Sequence, residues 1–130
     1  MKLAVGTDDL QNIRSGHFGE SRLYKIFEVQ DGQIISDEVR ENPFVKNDHH
    51  EYEHGQTQNI MKLLSDCDIF LARSMGLHSM PKLLQKGKKP LITKITSIED
   101  AVGKLLNGDY SNFKCFNTET NKLESCDGRL

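Results

Sequence analysis

A chain of 130 residues has room for one hydrophobic core, since a second would be too small to hold itself together. Its 17 Lys and Arg against 19 Asp and Glu, a formal charge of -2, create no field that would gather nucleic acid or an anionic membrane, so any anion site must be local. No stretch reaches the roughly 20 apolar residues that cross a bilayer, Met1-Lys2 leads into acids rather than a signal peptide, and three cysteines form no dense framework, so the chain reads as cytoplasmic with reduced thiols.

The first element is Leu3-Ala4-Val5-Gly6 before Thr7-Asp8-Asp9, which suits a buried strand whose carboxyl end opens into a polar loop reaching about residue 20. Residues 23–29 are rich in aromatic and β-branched types, and Asp31-Gly32 separates them from 34–40. A glycine that accepts positive φ makes this a hairpin, so the second and third strands run antiparallel. The charges in 34–40 place the third strand at the sheet margin, where they block further pairing. Pro43 opens a polar stretch to Gly55, after which Ile60, Leu63, Leu64 and Cys67 recur at helical spacing and predict a helix over 56–65. Residues 68–72, Asp-Ile-Phe-Leu-Ala, are too short and apolar for a surface helix and read as an interior strand.

Ser79 suits the cap of the next helix, with Pro81 in its first turn and Gly87 closing it. Leu91-Ile92-Thr93 gives a fifth strand. Ser97, Glu99 and Asp100 then mark the start of a third helix with the apolar stripe Ile98, Ala101, Val102, Leu105 and Leu106. Asn107-Gly108 ends it. Beyond, Phe113-Lys114-Cys115-Phe116 alone suggests a strand, so the chain divides into a domain at 1–109 and a C-terminal extension at 110–130.

This order predicts an α/β fold of three layers, α/β/α, with helices on both sides of a five-stranded mixed sheet in which only strand two runs backwards. Strands one and four lie adjacent at the centre and their chains leave toward opposite edges. Open α/β sheets bind ligands in the crevice outside the carboxyl ends of strands at such a switch point. Segments 7–20, 43–54 and 73–78 meet on that rim, and they hold all five histidines: His17, His49, His50, His54 and His78. Neutral imidazole is a common ligand of borderline transition metals, which makes these five the metal-ligand candidates; solvated loops also carry histidines without any such role.

His17 stands out because Ser15-Gly16-His17-Phe18-Gly19 surrounds it with glycines that permit close backbone approach and an aromatic that can anchor the loop. His78 can instead decorate the start of a helix, and Arg73 with the amides around Gly76 suits an anionic ligand. Cys67 completes the apolar face of the first helix at the opposite end of the sheet and reads as a buried hydrophobe. Cys115 and Cys126 read as structural or redox-inert.

Met1-Lys2-Leu3-Ala4-Val5-Gly6-Thr7-Asp8, Gly16-His17-Phe18-Gly19, Phe27-Glu28-Val29 with Asp31-Gly32, and Glu41-Asn42-Pro43 together resemble the dinitrogenase iron-molybdenum cofactor biosynthesis family over about residues 1–109. The resemblance implies a ribonuclease-H-like fold and binding of an iron-sulfur or molybdenum-containing cluster, with His17 carried over from the shared loop motif. Together with the residues singled out above, the candidate cofactor contacts are His17, Phe18, Gly19, Arg73 and Gly76. The expected function is a non-enzymatic carrier in cofactor assembly for nitrogen fixation, with cluster donor and acceptor proteins as partners; charge and composition leave out nucleic acid and membrane. Many relatives carry Gly-x-Gly after the fourth strand where this chain has Ser74-Met75-Gly76, and its last 20 or so residues depart from the family pattern.

Two other functions compete. Asp8 and Asp9, with Glu28 or Asp68, would hold two magnesium ions in a phosphodiesterase or nuclease; Asp68 enters its strand from the wrong end, and no basic stripe accompanies the acids. A regulatory module that docks a partner protein without metal is the third reading.

Overall fold

The structure, a computed structural model, describes residues 1–44 and 55–126. β1 (Lys2–Thr7) is buried from Leu3 onward because it lies mid-sheet between two helical layers, and a strand covered on both faces is apolar along its length. Its side chains alternate between two cores. Leu3 and Val5 pack with Ile98, Ala101, Val102 and Leu105 of α3 (Ile98–Leu106). Ala4 belongs to the other core, with Ile60 of α1 (Gly55–Leu63) and Met80 and Leu83 of α2 (Ser79–Gln85). The three-layer expectation is met, with α1 and α2 on one face and α3 on the other.

The remaining strands are β2 (Leu23–Gln30), β3 (Gln33–Glu41), β4 (Ile69–Ala72), β5 (Lys89–Thr93), β6 (Phe113–Asn117) and β7 (Lys122–Ser125). They form one seven-stranded sheet in the order β3-β2-β1-β4-β5-β6-β7. β1 and β4 pair in parallel, with Leu3 opposite Ile69, and β4 and β5 also pair in parallel. β2 is antiparallel to both β1 and β3. The hairpin closes on Asp31 (φ 55°) and Gly32 (φ 76°), two residues at positive φ, as the tightest hairpin turn requires.

β3 is the edge, exposed over most of its length. It is pinned there by Arg40, whose Nη1 and Nη2 each donate to a different oxygen of Asp66 at 2.7 Å. Such a two-point fork fixes geometry as well as charge.

The five-stranded expectation is corrected to seven. Residues after Asp109 return to the sheet as the β6–β7 hairpin, with Leu91 opposite Cys115. β7 is four residues long, and its side chains are half-buried or exposed, so it lacks the apolar alternation that marks a strand in sequence.

The expectation of reduced thiols is corrected as well. Pairing Lys114 with Ser125 carries Cys126 back to the sheet beside Cys115, and the two form a disulfide with Cα atoms 5.2 Å apart. The odd count arises because the third cysteine, Cys67, is buried and unbridged.

Helix starts divide. Ser97 caps α3 as its sequence predicts, its side chain accepting from the Asp100 N–H at 3.2 Å. Ser79 does not cap α2: His78 occupies that position without a side-chain cap, and the Ser79 N–H donates to the Gly76 carbonyl instead. Among the described residues no helix is long and apolar enough to cross a membrane.

Candidate functional site

Because β1 and β4 are parallel, their carboxyl ends open on the same rim. The loop after β1 folds back on itself through Thr7, whose buried hydroxyl accepts from the N–H of Leu10 at 3.0 Å and donates to the Asn12 carbonyl at 2.6 Å. Asp9 Oδ1 then accepts from the N–H groups of Asn12 and Gln11 at 2.8 and 2.9 Å. Those two bonds favour the ionised form and hold its carboxyl below the usual carboxylate range. Asp8 is likewise engaged, one oxygen accepting from the Arg22 N–H at 3.0 Å and the other from Arg14 Nη1 at 2.6 Å. Both acids therefore serve as loop staples. Glu28 and Asp68 lie at the other end of β1, against the amino terminus and the Lys2 N–H, so the four acids of the nuclease reading do not converge.

The same loop continues to His17, which bridges in parallel to Ser74 just beyond β4. The Phe18 N–H donates to the Ser74 carbonyl at 2.9 Å, and His17 Nδ1 lies 2.8 Å from Ser74 Oγ. The imidazole is otherwise exposed. Phe18 sits beneath it, 3 % exposed, stacked on Phe70 at 5.2 Å between ring centroids and tilted against Tyr24 at 5.0 Å. Its carbonyl accepts from Ser21 Oγ and the Tyr24 hydroxyl, both at 2.8 Å; burial pushes the Tyr24 phenol well above its ordinary range and keeps it a donor. Phe18 thus anchors the loop, as its sequence suggests. Gly6 makes the close approach possible: a Cβ there would run into Ser21 Oγ and come within 3.2 Å of Phe18 Cδ1.

Asn42 is the residue sequence reasoning missed, although it lies in the Glu41-Asn42-Pro43 signature. It is 7 % exposed. Its Nδ2 donates to the Ser21 carbonyl at 2.8 Å, the Gly19 carbonyl at 3.2 Å and the Tyr24 hydroxyl at 3.3 Å, while Oδ1 accepts from the Phe44 N–H at 3.0 Å. The chain leaving β3 is thereby tied to the His17 loop. The signal was a polar amide at the end of a strand that returns to the ligand rim. Asn42→Ala should cost about 2–3 kcal/mol, because buried acceptors lose their donor; Asn42→Asp should cost more, since it sets a carboxylate against carbonyls. Chemical denaturation of the three proteins checks this, and a cost under about 0.5 kcal/mol for alanine would refute it.

The other expected residues are dispersed. His78 is exposed at the start of α2. His49, His50 and His54 lie outside the described residues. Gly19 contributes its carbonyl to Asn42, and Gly76 accepts from Ser79. Among the described residues no three His, Cys, Asp or Glu side chains converge as a metal site. Cys67 is buried at the amino end of β4, where desolvation and then the Asp66 carboxylate push its thiol up to about 12, so it stays protonated. Arg73 parts from His17: it lines a pocket of about 420 Å3 with Asp8, Arg14 and Thr96, which His17 does not line.

No curated protein matches the sequence. Among solved structures, PH0822 superposes with a TM-score of 0.67 at 19% identity, over 99% of this chain and 100% of that one. A candidate dinitrogenase from Methanocaldococcus jannaschii gives 0.62 at 13% identity, over 98% and 95%. The apo form of the orange protein from Desulfovibrio gigas gives 0.64 at 15% identity, over 98% and 93%. At these identities the likeness establishes the fold. The dinitrogenase iron-molybdenum cofactor family model matches residues 1–108, a stretch that takes in β1 through α3 and the whole His17 rim, and on that match the chain belongs to this family.

Proposed function

We propose that this protein binds and carries a preassembled metal cluster, iron-sulfur or molybdenum-containing, during cofactor assembly, and that it catalyses no reaction of its own. The observation that carries the reading is the fixed, outward His17 imidazole, held by Ser74 at the carboxyl ends of the two central strands. When Nδ1 donates its proton to Ser74 Oγ, Nε2 keeps a lone pair directed away from the protein, which is how a histidine is prepared as a ligand.

The donor set fits a cluster better than a bare ion. A bare transition ion needs three or four protein ligands, and no such group converges among the described residues. A cluster brings its own bridging sulfides and asks of its carrier one open ligand and a shaped surface. The sequence offers His49, His50 and His54 on the segment that leaves this rim at Phe44. Membership of an iron-molybdenum cofactor family supports the same cargo, and donor and acceptor proteins for the cluster are then its partners. The phosphodiesterase reading is the weaker one because Asp8 and Asp9 are already engaged within their loop.

Anaerobic purification from the native host with elemental analysis and visible absorption tests the proposal. The expected result is iron or molybdenum with sulfide in fixed proportion to protein and a charge-transfer band that air bleaches. Metal-free protein under strict anaerobiosis that also takes up no cluster in titration would sink it, as would magnesium-dependent nuclease activity lost in Asp8→Ala.

A further inference from the structure

We propose a second, separate site: the pocket beside Arg73, on the α3 side of the sheet, takes a tetrahedral oxyanion, a phosphate group carried free or at the end of a small molecule. Buried polar atoms in folded proteins are nearly all hydrogen-bonded, so an exception marks a side chain whose donors are under-used. Among the described residues the two buried side-chain nitrogens or oxygens without one are Arg14 Nε and Arg73 Nε. Both arginines line this one pocket.

Position along the chain explains the sidedness. Leu71 faces the α3 core and Ala72 the opposite one, so Arg73 follows on the α3 side, while Ser74 turns to His17. The two sites therefore use consecutive residues but different layers.

The lining carries two carboxylates and two guanidiniums, and what separates them is which already have partners. Asp8 is held by Arg14 and by the Arg22 N–H, and Asp9 by the N–H groups of Gln11 and Asn12. Both carboxylates thus already hold donors within their own loop. Arg73, by contrast, makes no ion pair or side-chain hydrogen bond among the described residues. A guanidinium is permanently charged and presents its donors as a fork that matches two oxygens of one oxyanion. Ser15 and Thr96 also line the pocket, and a hydroxyl can donate to an anion with more than two oxygens. The volume of about 420 Å3 falls within the range of small-molecule sites, roughly 300–1,000 Å3, so it has room for a group attached to the phosphate.

The test is calorimetric titration of the full chain, at low ionic strength, with inorganic phosphate and with glycerol phosphate. Saturable binding of one or both is expected; binding of both assigns the site to the phosphate group, and binding of the ester alone assigns it to a small phosphorylated molecule. Arg73→Ala should weaken binding at least about tenfold, the effect of one lost charged hydrogen bond, and Arg73→Lys should recover little because an ammonium lacks the fork. Thr96→Val gives a second, milder variant, and His17→Ala should bind phosphate as the parent does. No saturable binding of either probe would overturn the proposal, as would parental affinity in folded Arg73→Ala, or a loss in His17→Ala as large as in Arg73→Ala.

Discussion

Titrated anaerobically with a sulfide-bridged iron or molybdenum cluster, protein carrying His17→Ala is expected to bind at least roughly 100-fold more weakly than the parent, since changes to outer-shell partners alone cost about 10–100-fold. The surroundings of this residue suit it to the proposed ligand role. Phe18 is clamped beneath it by Phe70, Tyr24 and Ser21, and the backbone bridge to Ser74 fixes its height above the sheet. Ser74→Ala should reduce affinity by about tenfold, because it frees the ring without removing the lone pair. Cys67→Ala should leave affinity unchanged: its thiol is buried and held protonated at the far end of the sheet. Equal binding by His17→Ala and the parent would remove His17 from the site, and a loss confined to Cys67→Ala would move the site to the opposite end.

Reduction of the Cys115–Cys126 bond should lower stability markedly. The bond closes a loop of sequence separation 11, and in the chain-entropy account a loop of that order contributes about 3 kcal/mol by restricting the unfolded chain. For a domain of this size that corresponds to a fall of roughly 10 °C in Tm, taking about 2.1 cal/mol/K of unfolding entropy per residue. The bond also holds the outermost hairpin, since β7 pairs with β6 alone. Cys115→Ser should show the lower Tm in either redox condition, and the parent should fall to it when a dithiol reductant is added. Thiol counting on denatured protein gives an independent reading, one free thiol before reduction and three after. A parent Tm indifferent to reductant would show that the disulfide does not stabilise the fold.

How far the fold was legible depended on whether burial was written into the residues. β1, β4 and β5 are buried on both faces, and their short apolar runs announced them. The Asp31-Gly32 turn announced the hairpin because both residues sit at positive φ, and Ser97 announced its own capping bond. β7 was hidden because a short, half-exposed edge strand has no apolar period, and its cysteine pairing was hidden with it, since the register of a strand must be known before two cysteines can be placed side by side. The site was legible in part. The topological argument carried His17 to the rim at the end of β1, but the tightest backbone approach falls at Gly6 and not at the glycines beside His17. Arg73 and Gly76 could not be separated from it on paper: which layer a side chain enters at the end of a strand depends on a one-residue alternation that sequence gives only when the strand's last paired residue is known. Asn42 was quoted only as part of a family signature, because the carbonyls it satisfies belong to a loop 20 or so residues away.

The β3 edge bears on how this protein behaves in solution. Ile34, Ile35 and Val39 are 41%, 57% and 43% exposed on a strand whose outer edge has no neighbour among the described residues, a template for another chain that is interrupted by Asp37, Glu38 and Arg40. Those charges act as gatekeepers, and their reach is set by the surrounding ions. At physiological salt the Debye length is about 8 Å, and at about 1 M it shrinks to about 3 Å, less than the spacing of two paired strands. An edge guarded in this way is expected to depend on its buffer: raising the salt should leave the fold unchanged but weaken the guard against a second copy pairing with β3, which light scattering across a salt series would show as self-association.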